Sequence, residues 1–375
     1  MRENLPDGVT WDNWQEYPAN RWSYQHLDEV LDTVPVPRGD GPVLELGRGD
    51  ALDVPELDSY LEESRTDGLL VLRGREVVLE RYLNHLTPST RHLLQSVSKS
   101  MCSAVFGRYV ASGDMDLGQI ASHYAPELGG SAYGEATLRH TLDMTVAVAY
   151  DETYDDPESD IFQHDRAGGW RPPSPGSPED VRAFLVGLRS NGEHGRTFQY
   201  CSANSDVLAV VLEAVTGRRF SELLSTDLWA PMGAEHDALI TVDSSGLGMA
   251  SGGICVTLRD LARFGRLVLD DGAGPSGEQV VPRPWLDDVR RGGDPTVDAT
   301  SIEEFDPNGS YRSQFWVTGD PHGCIYGAGI YGQYVWLNPK TDVVVARLAT
   351  QQSADDDEQA KRNQQLLDRL SVIAG

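Results

Sequence analysis

Ser96 and Lys99 are the first residues whose types and spacing could do chemistry. The chain has only three lysines, Lys99, Lys340 and Lys361, in a composition that otherwise uses arginine. An ammonium in a dry pocket can lose its proton, whereas a guanidinium cannot. In a helix beginning near Ser96 the two side chains would share one face. The spacing therefore favours a nucleophilic serine with a lysine base, and the alternative is an N-capping serine followed by a surface lysine.

Tyr200 is a candidate second proton carrier. It precedes a predicted helix and so lies on a loop, where catalytic groups are often found. A phenol close to Lys99 could pass the Ser96 proton to a leaving group. The backbone N–H groups at the start of the Ser96 helix could stabilise an oxyanion. The alternative for Tyr200 is a half-buried aromatic residue with a satisfied hydroxyl.

The elements that must position these residues divide into β-rich ends and a helical middle. Alternating apolar residues after Gly68 predict a hairpin, and SQFWVTG, YGQYVWLN and DVVVARLAT predict three later strands. Helical spacing predicts helices over residues 24–34, 95–112, 179–188, 205–215, 258–269 and 354–373. The chain is thus expected to be α+β, with one antiparallel sheet built from both chain ends and a mainly helical insertion. We expect one catalytic domain over residues 1–375, with an α/β part over 1–95 and 240–375 and a helical part over 96–239.

Composition and charge limit the classes of partner. A formal net charge of −27 disfavours nucleic acid and anionic membranes as partners. No apolar run is long enough to span a bilayer, and the first residues lack a secretory signal, so we expect a cytoplasmic chain. The four cysteines show no C-x-x-C pairing, and the nine histidines show no metal-ligand spacing. We expect no metal, no cofactor, and a small-molecule substrate. No motif encodes the oligomeric state, and a homodimer is one expectation.

Three segments together resemble a known superfamily. QSVSKS opening a helix, YCSANSDVLAVVLE about a hundred residues later, and SGGICVTLRDLARFG are similar to the serine β-lactamases and penicillin-binding proteins. The nearest branches are class C β-lactamases, family VIII carboxylesterases and 6-aminohexanoate-dimer (nylon-oligomer) hydrolases. The resemblance covers about residues 68–349. It implies a β-lactamase-like fold, with Ser96 as the acylated nucleophile, Lys99 as its base and Tyr200 as the tyrosine of the Tyr-x-Asn/Ser motif.

The chain departs from the class C pattern in two places. Ser202 stands where those enzymes have the asparagine of Tyr-x-Asn, and it is expected to contact substrate. Their Lys-Thr-Gly triplet is absent, because Lys340 is expected in a turn. The equivalent segment is GAGI over residues 327–330, where Gly329 would contact substrate and the Ile330 N–H would complete an oxyanion hole with that of Ser96. Without the cation of that triplet, efficient β-lactam hydrolysis is not expected.

The Pro/Asp/Gly-rich segment over residues 151–180 is predicted to be a functional lid. It resembles the loop that supplies a tyrosine, an acid and a tryptophan to the substrate in the nylon-oligomer hydrolases, and the matching residues are Tyr154, Asp165 and Trp170. Asp165 would suit a substrate ammonium. The alternatives are a solvated loop acid at Asp165 and a packing anchor at Trp170.

The resemblance implies a serine hydrolase that cleaves an ester or amide through an acyl-enzyme, similar to the 6-aminohexanoate-dimer hydrolases. A β-lactamase or D,D-peptidase is one alternative. A non-catalytic ligand-binding protein on the same fold is another, although such proteins usually lose the serine, lysine or tyrosine. The segment VLELGRGD over residues 43–50 resembles a methyltransferase glycine motif. That reading needs a βαβ unit, and the predicted hairpin after it argues against one.

Overall fold

Two sheets form the framework of the protein. The computed structural model describes residues 5–303 and 306–375. Its strands are β1 (Thr33–Val36), β2 (Gly47–Arg48), β3 (Thr66–Arg73), β4 (Glu76–Tyr82), β5 (His92–Leu93), β6 (Ala238–Thr241), β7 (Ile254–Val256), β8 (Ser310–Arg312), β9 (Phe315–Val317), β10 (Ile325–Gly329), β11 (Gln333–Asn338) and β12 (Val343–Ala349). The larger sheet has the order β2-β4-β3-β12-β11-β10-β9-β8, and the smaller one β1-β6-β7-β5. All their described strand pairs are antiparallel except β2 with β4.

Helices cover these sheets and fill the middle of the chain. They are α1 (Asn20–Ser23), α2 (Leu27–Val30), α3 (Leu57–Glu63), α4 (Val97–Ala111), α5 (Ala121–Tyr124), α6 (Leu138–Leu142), α7 (Asp160–Ala167), α8 (Val181–Gly187), α9 (Ala203–Thr216), α10 (Phe220–Leu223), α11 (Leu258–Leu269), α12 (Arg283–Arg291), α13 (Thr300–Glu303) and α14 (Asp357–Ile373). Short 3₁₀ segments occur at Pro126–Gly130, Ala132–Gly134 and Ile330–Gly332, and a π-helical turn at Leu224–Trp229. Among the described helices, none is long and apolar enough to cross a bilayer.

The larger sheet confirms the prediction that strands from both chain ends pair. The β3–β4 hairpin forms after Gly68 as expected, and β3 pairs antiparallel with β12, with Val71 opposite Val345. Helix α11 packs against β3, β11 and β12, and α14 against β11 and β12. A Cβ on Gly265 would lie 2.6 Å from Val344 Cγ1, so this glycine lets α11 lie close against the sheet. The fold is α+β and β-lactamase-like.

Most of the predicted helices are confirmed with small shifts in their ends, and Lys340 lies in the turn between β11 and β12. The helix predicted over residues 24–34 is wrong. Helix α2 ends at Val30, and the chain continues as β1. Pro35 has no backbone N–H and favours an extended conformation in the residue before it, so the helix cannot continue through this segment.

The smaller sheet and strand β10 were not predicted. Strands β5 and β7 have two and three residues, which is too short for an alternating pattern to be visible. Strand β10 contains Gly327 and Gly329, residues that weaken a strand signal. These elements matter for the site, because β5 leads directly into Ser96 and β10 ends beside it.

Candidate active site

Ser96 lies at the turn between β5 and α4, where it occupies the N-cap position of the helix. The turn depends on Gln95, whose φ of 47° places it in the left-handed region that few non-glycine residues adopt. The Gln95 amide donates a 2.7 Å hydrogen bond to the Tyr24 hydroxyl, which holds this conformation in place. The backbone strain at Gln95 is therefore supported by packing immediately before the candidate nucleophile.

Lys99 lies one helical turn after Ser96 and is 1% exposed. Its Nζ contacts Ser96 Oγ at 2.9 Å, Ser202 Oγ at 3.0 Å and the Ser251 carbonyl oxygen at 2.5 Å. Burial lowers the pKa of Lys99 to about 8, while Glu152 and Asp206 act in the opposite direction. A lysine with that pKa is neutral in about a tenth of the molecules at pH 7 and in half of them near pH 8, and only the neutral amine can accept a proton.

Glu152 is a member of this site that the sequence analysis did not identify. Its carboxylate accepts hydrogen bonds from the Ser202 backbone N–H at 2.7 Å, the Ser202 hydroxyl at 2.6 Å and the Tyr154 hydroxyl at 2.6 Å. Glu152 belongs to an acid-rich stretch, DETYDDPESD, and nothing in its sequence context distinguishes it from the acids around it. Ser202, expected to contact substrate, lines the cavity that contains Ser96 and also contacts Lys99.

The hydrogen bonds around Lys99 determine where its lone pair points. Because the Ser202 hydroxyl donates its single proton to Glu152, the Ser202 oxygen can only accept from Lys99. The Ser251 carbonyl can also only accept. A neutral Lys99 has two N–H donors, which these two acceptors occupy, so its lone pair faces Ser96 Oγ. The arrangement favours removal of the Ser96 proton by Lys99.

Tyr200 lies on the other side of this pair, with Lys99 Nζ 5.3 Å from the centroid of its ring. Burial and the nearby Glu152 raise the pKa of Tyr200, whereas the Ser96 side chain lowers it. Because the pKa of Tyr200 is raised and that of Lys99 is lowered, Lys99 is the better proton acceptor. A phenol whose pKa is raised keeps its proton, so Tyr200 is suited to donate a hydrogen bond or a proton.

The end of β10 lies against the start of α4. A Cβ on Gly329 would lie 2.6 Å from the Leu94 carbonyl oxygen and 3.0 Å from the Ser96 backbone nitrogen, so only glycine fits there without a shift. The next residue, Ile330, lines the same cavity as Ser96. This close approach brings the two peptide units predicted to bind an oxyanion to one side of the site.

The lid residues line the cavity above Ser96. Tyr154, Asp165 and Trp170 all border it, together with Ser202 and Ile330. The Trp170 ring donates to Thr241 Oγ1 at 3.0 Å, so Trp170 is both a packing anchor and part of the cavity wall.

Asp165 is not the solvated loop acid of the alternative reading, because it is largely buried and ion-paired. Its Oδ2 accepts from Gln15 Nε2 at 2.9 Å and from Arg171 Nε at 3.2 Å. Burial raises the pKa of Asp165, and Arg171 lowers it. The hydrogen bonds from Gln15 and Arg171 both end on Oδ2, and Asp165 borders the cavity that contains Ser96.

A buried pair connects the lid to the residues behind Lys99. His164 Nε2, on lid helix α7, lies 2.9 Å from Asp206 Oδ2 on α9. Asp206 Oδ1 accepts the Ser251 backbone N–H at 3.0 Å, and the Ser251 carbonyl oxygen contacts Lys99. This chain of contacts links the lid helix to Lys99, the candidate base.

One group of side chains could hold a metal ion, and it lies away from Ser96. Asp320, His322 and Cys324 place one ligand atom each within 4.8 Å of one another, in the turn that precedes β10. The sequence analysis overlooked this spacing. Asp320 Oδ1 accepts the His322 backbone N–H, which stabilises the turn itself. The group lies at the end of β10 opposite Gly329.

The fold and this site define a class of protein. A family model described as Beta-lactamase matches residues 57–369, and the chain belongs to that family. It is a serine hydrolase by family.

Individual proteins and solved structures within the family are also similar to this chain. The chain is 47% identical over 348 residues to a 6-aminohexanoate-dimer hydrolase of Paenarthrobacter ureafaciens, a match that covers 91% of this chain and 88% of that protein. It is also similar to a solved structure from Bacillus anthracis provisionally named a 6-aminohexanoate-dimer hydrolase, with a TM-score of 0.87 and 25% identity over 99% of this chain and 98% of that one. A D-stereospecific amidohydrolase from a Streptomyces species shares the fold, with a TM-score of 0.63 and 17% identity over 83% of this chain and 98% of that one.

Proposed function

We propose that this protein hydrolyses amide and ester bonds of small linear substrates by acyl transfer through Ser96, with 6-aminohexanoate oligomers as the amide class. One observation carries the proposal. Lys99 Nζ lies 2.9 Å from Ser96 Oγ, while its other contacts leave its lone pair facing that oxygen. The 47% identical relative named for the dimer supports the substrate class.

The reaction has two balanced halves. Lys99 takes the Ser96 proton as Oγ attacks the carbonyl carbon, and the N–H groups of Ser96 and Ile330 stabilise the resulting oxyanion. Tyr200 protonates the departing nitrogen or oxygen and is reprotonated by way of Lys99, so the leaving group departs as a neutral amine or alcohol. Water then attacks the acyl-enzyme, and its proton passes by the same residues to Ser96.

The lid supports recognition of an amine at the acyl end of the substrate. The Asp165 carboxylate is the acceptor for a substrate ammonium, and Tyr154 and Trp170 border the same cavity. Arg171 already forms an ion pair with Asp165, so the substrate ammonium and the Arg171 guanidinium would both bind the Asp165 carboxylate. Recognition of the amine therefore depends on the charge balance of the Asp165–Arg171 pair.

The alternatives within the family have less support. Residues 327–330 carry no cation where the class C pattern has its lysine, so the carboxylate of a β-lactam lacks its usual anchor. A binding protein without activity would not need a lysine with a lowered pKa in contact with a serine.

The test compares wild type with Ser96→Ala on three substrates: p-nitrophenyl butyrate, the linear 6-aminohexanoate dimer and nitrocefin. We expect turnover of the first two, little turnover of nitrocefin, and loss of all activity in Ser96→Ala, with unchanged thermal unfolding as the folding control. Ester and amide hydrolysis that persists in Ser96→Ala would contradict the nucleophile assignment. A folded wild type without turnover on any substrate would favour the binding protein.

A further inference from the structure

A row of stacked aromatic rings begins at Tyr200 and crosses the larger sheet. Tyr200 stacks on Trp316 with ring centroids 5.7 Å apart and planes 14° apart. Trp316 in turn stacks on Tyr326 at 6.1 Å and 13°, and Tyr326 stacks on Trp336 at 4.8 Å and 20°. We call these four residues the aromatic wall. It places the candidate proton donor at one end of a continuous apolar surface on β9, β10 and β11.

The aromatic wall borders an open cleft. Tyr200, Trp316 and Tyr326 line this cleft, together with Ala328 of β10 and Tyr334 of β11. Strand β9 pairs with β10 only at Ile325 and Tyr326, so in the described structure the rest of β10 pairs with β11 on one edge and has no strand on the edge that faces β9. The cleft is therefore continuous with the end of β10 that approaches the nucleophile.

The position of Tyr200 indicates which part of a substrate would enter the cleft. The acyl part lies over Ser96, in the cavity bordered by Asp165 and Trp170. A general acid must come within hydrogen-bond reach of the leaving atom, so that atom lies at the Tyr200 hydroxyl. The remainder of the leaving group then extends past Tyr200, and the space beyond that residue is the cleft.

We propose that this cleft is the leaving-group site, and that it selects amides and esters whose departing amine or alcohol carries an aromatic ring or an extended alkyl chain. The inference rests on the proposed role of Tyr200 and goes further, because it assigns Trp316 as a specificity-determining residue. Half-buried Trp316 offers a large apolar surface that a short leaving group cannot cover. Two charged residues of α14, Asp357 and Lys361, also border the cleft. A substrate with a neutral leaving group therefore tests the contact with the aromatic wall without a contribution from these charges.

The experiment measures kcat/KM for two esters of the same acid, ethyl butyrate and 2-phenylethyl butyrate, whose alcohols have similar acidity. We expect wild type to prefer the phenylethyl ester by about tenfold or more, from burial of the ring. Trp316→Ala should remove most of that preference, which is read as the ratio of the two kcat/KM values, so that any effect on Tyr200, on which Trp316 stacks, cancels. Trp316→Leu keeps an apolar side chain on β9 and should show the same change if the alanine variant does not fold.

Two controls separate the possible failures. Trp22→Ala removes another half-buried tryptophan stacked on a neighbouring ring, that of His26, and should leave the preference intact. Ethyl 4-phenylbutyrate against ethyl butyrate changes only the acyl side, so this ratio should not respond to Trp316. The inference would be overturned if Trp316→Ala lowered kcat/KM equally for ethyl butyrate and 2-phenylethyl butyrate, or if wild type showed no preference between them. In either case hydrolysis that depends on Ser96 would leave the proposed function standing. Loss of the Ser96 dependence itself would overturn the proposed function.

Discussion

Glu152 accepts both hydrogen bonds that Ser202 can donate, from its backbone N–H at 2.7 Å and from its hydroxyl at 2.6 Å. A residue of the lid thereby fixes the hydroxyl that contacts Lys99 Nζ. The same carboxylate raises the pKa of Lys99 against the effect of burial. The lid thus influences both the orientation and the basicity of the candidate base.

Glu152→Gln should lower the maximum kcat/KM and displace its acid limb to lower pH. The rate falls by about 10- to 100-fold, because the amide breaks the ordered hydrogen bonds through Ser202. The limb moves down because removal of a negative charge lowers the pKa of Lys99 further. The measurement is a pH–rate profile on p-nitrophenyl butyrate, with Tyr154→Phe as the variant that keeps the carboxylate. A reduced rate with an unmoved acid limb would contradict the electrostatic role.

The wild-type pH profile follows from the state of Lys99. Only the neutral amine can accept a proton, and its fraction grows as the pH rises through a pKa of about 8. We therefore expect kcat/KM to rise with pH, to reach half its maximum near pH 8 and to level off about one unit higher, measured on an ester stable between pH 6 and 10. Lys99→Arg should lose about 10²- to 10⁴-fold and the rise itself. A profile that falls across this range would exclude the neutral lysine as the base.

Gly329→Ala should reduce activity far more than a typical surface substitution. The added Cβ meets the Leu94 carbonyl oxygen at 2.6 Å and the Ser96 nitrogen at 3.0 Å, both of them backbone atoms that cannot move aside cheaply. Loss of one oxyanion donor costs about 10²- to 10³-fold in kcat. The matched control is Gly187→Ala, since a Cβ there meets nothing within 4 Å. Steady-state kinetics that show equal activity in the two variants would rule out the close approach as a requirement.

Asp165→Asn should affect substrates according to their charge. The variant removes the negative charge 3.2 Å from Arg171 and leaves that guanidinium, among the described residues, only its 3.7 Å ion pair with Glu16, so the cavity becomes more positive and binds an ammonium less well. We expect kcat/KM for the linear 6-aminohexanoate dimer to fall about 10-fold or more, and that for its N-acetylated form to change little. Asp155→Asn, an exposed acid of the same lid, serves as the control. Equal losses on both substrates would remove Asp165 from amine recognition.

The sequence alone was sufficient to predict contacts between residues that lie close together in the chain. Ser96 and Lys99 lie one helical turn apart, so their contact follows from helix geometry once a helix start is predicted. The same holds for the β3–β4 hairpin and the amphipathic α11. Tyr200 was a candidate from its place before a predicted helix and from motif resemblance, but its distance from Lys99 could not be read from spacing.

The parts of the fold and of the site that the sequence did not predict depend on contacts between segments that are distant in the chain. Glu152 acquires its role from Ser202, fifty residues further on, and resembles every other acid of the lid until the chain is folded. Strand β10 could not be predicted from the sequence because Gly327 and Gly329 weaken its strand pattern. Both glycines are needed for a different reason, since they let β10 lie close to the start of α4. A Cβ on Gly327 would lie 3.0 Å from Ser100 Oγ. The residues that weaken the strand signal are those that bring the strand to the nucleophile.

The pairing of β3 with β12 has a consequence for biosynthesis. Strand β3 is complete by Arg73, but its partner β12 begins at Val343, so the pairing at the centre of the larger sheet cannot form until β12 has been translated. Contacts this distant in sequence form late and slowly. Until they form, the exposed edge of the hairpin is a surface that chaperones would have to protect. The larger sheet therefore cannot be completed before β12 has left the ribosome, and a chain truncated before residue 343 lacks the strand that pairs with β3.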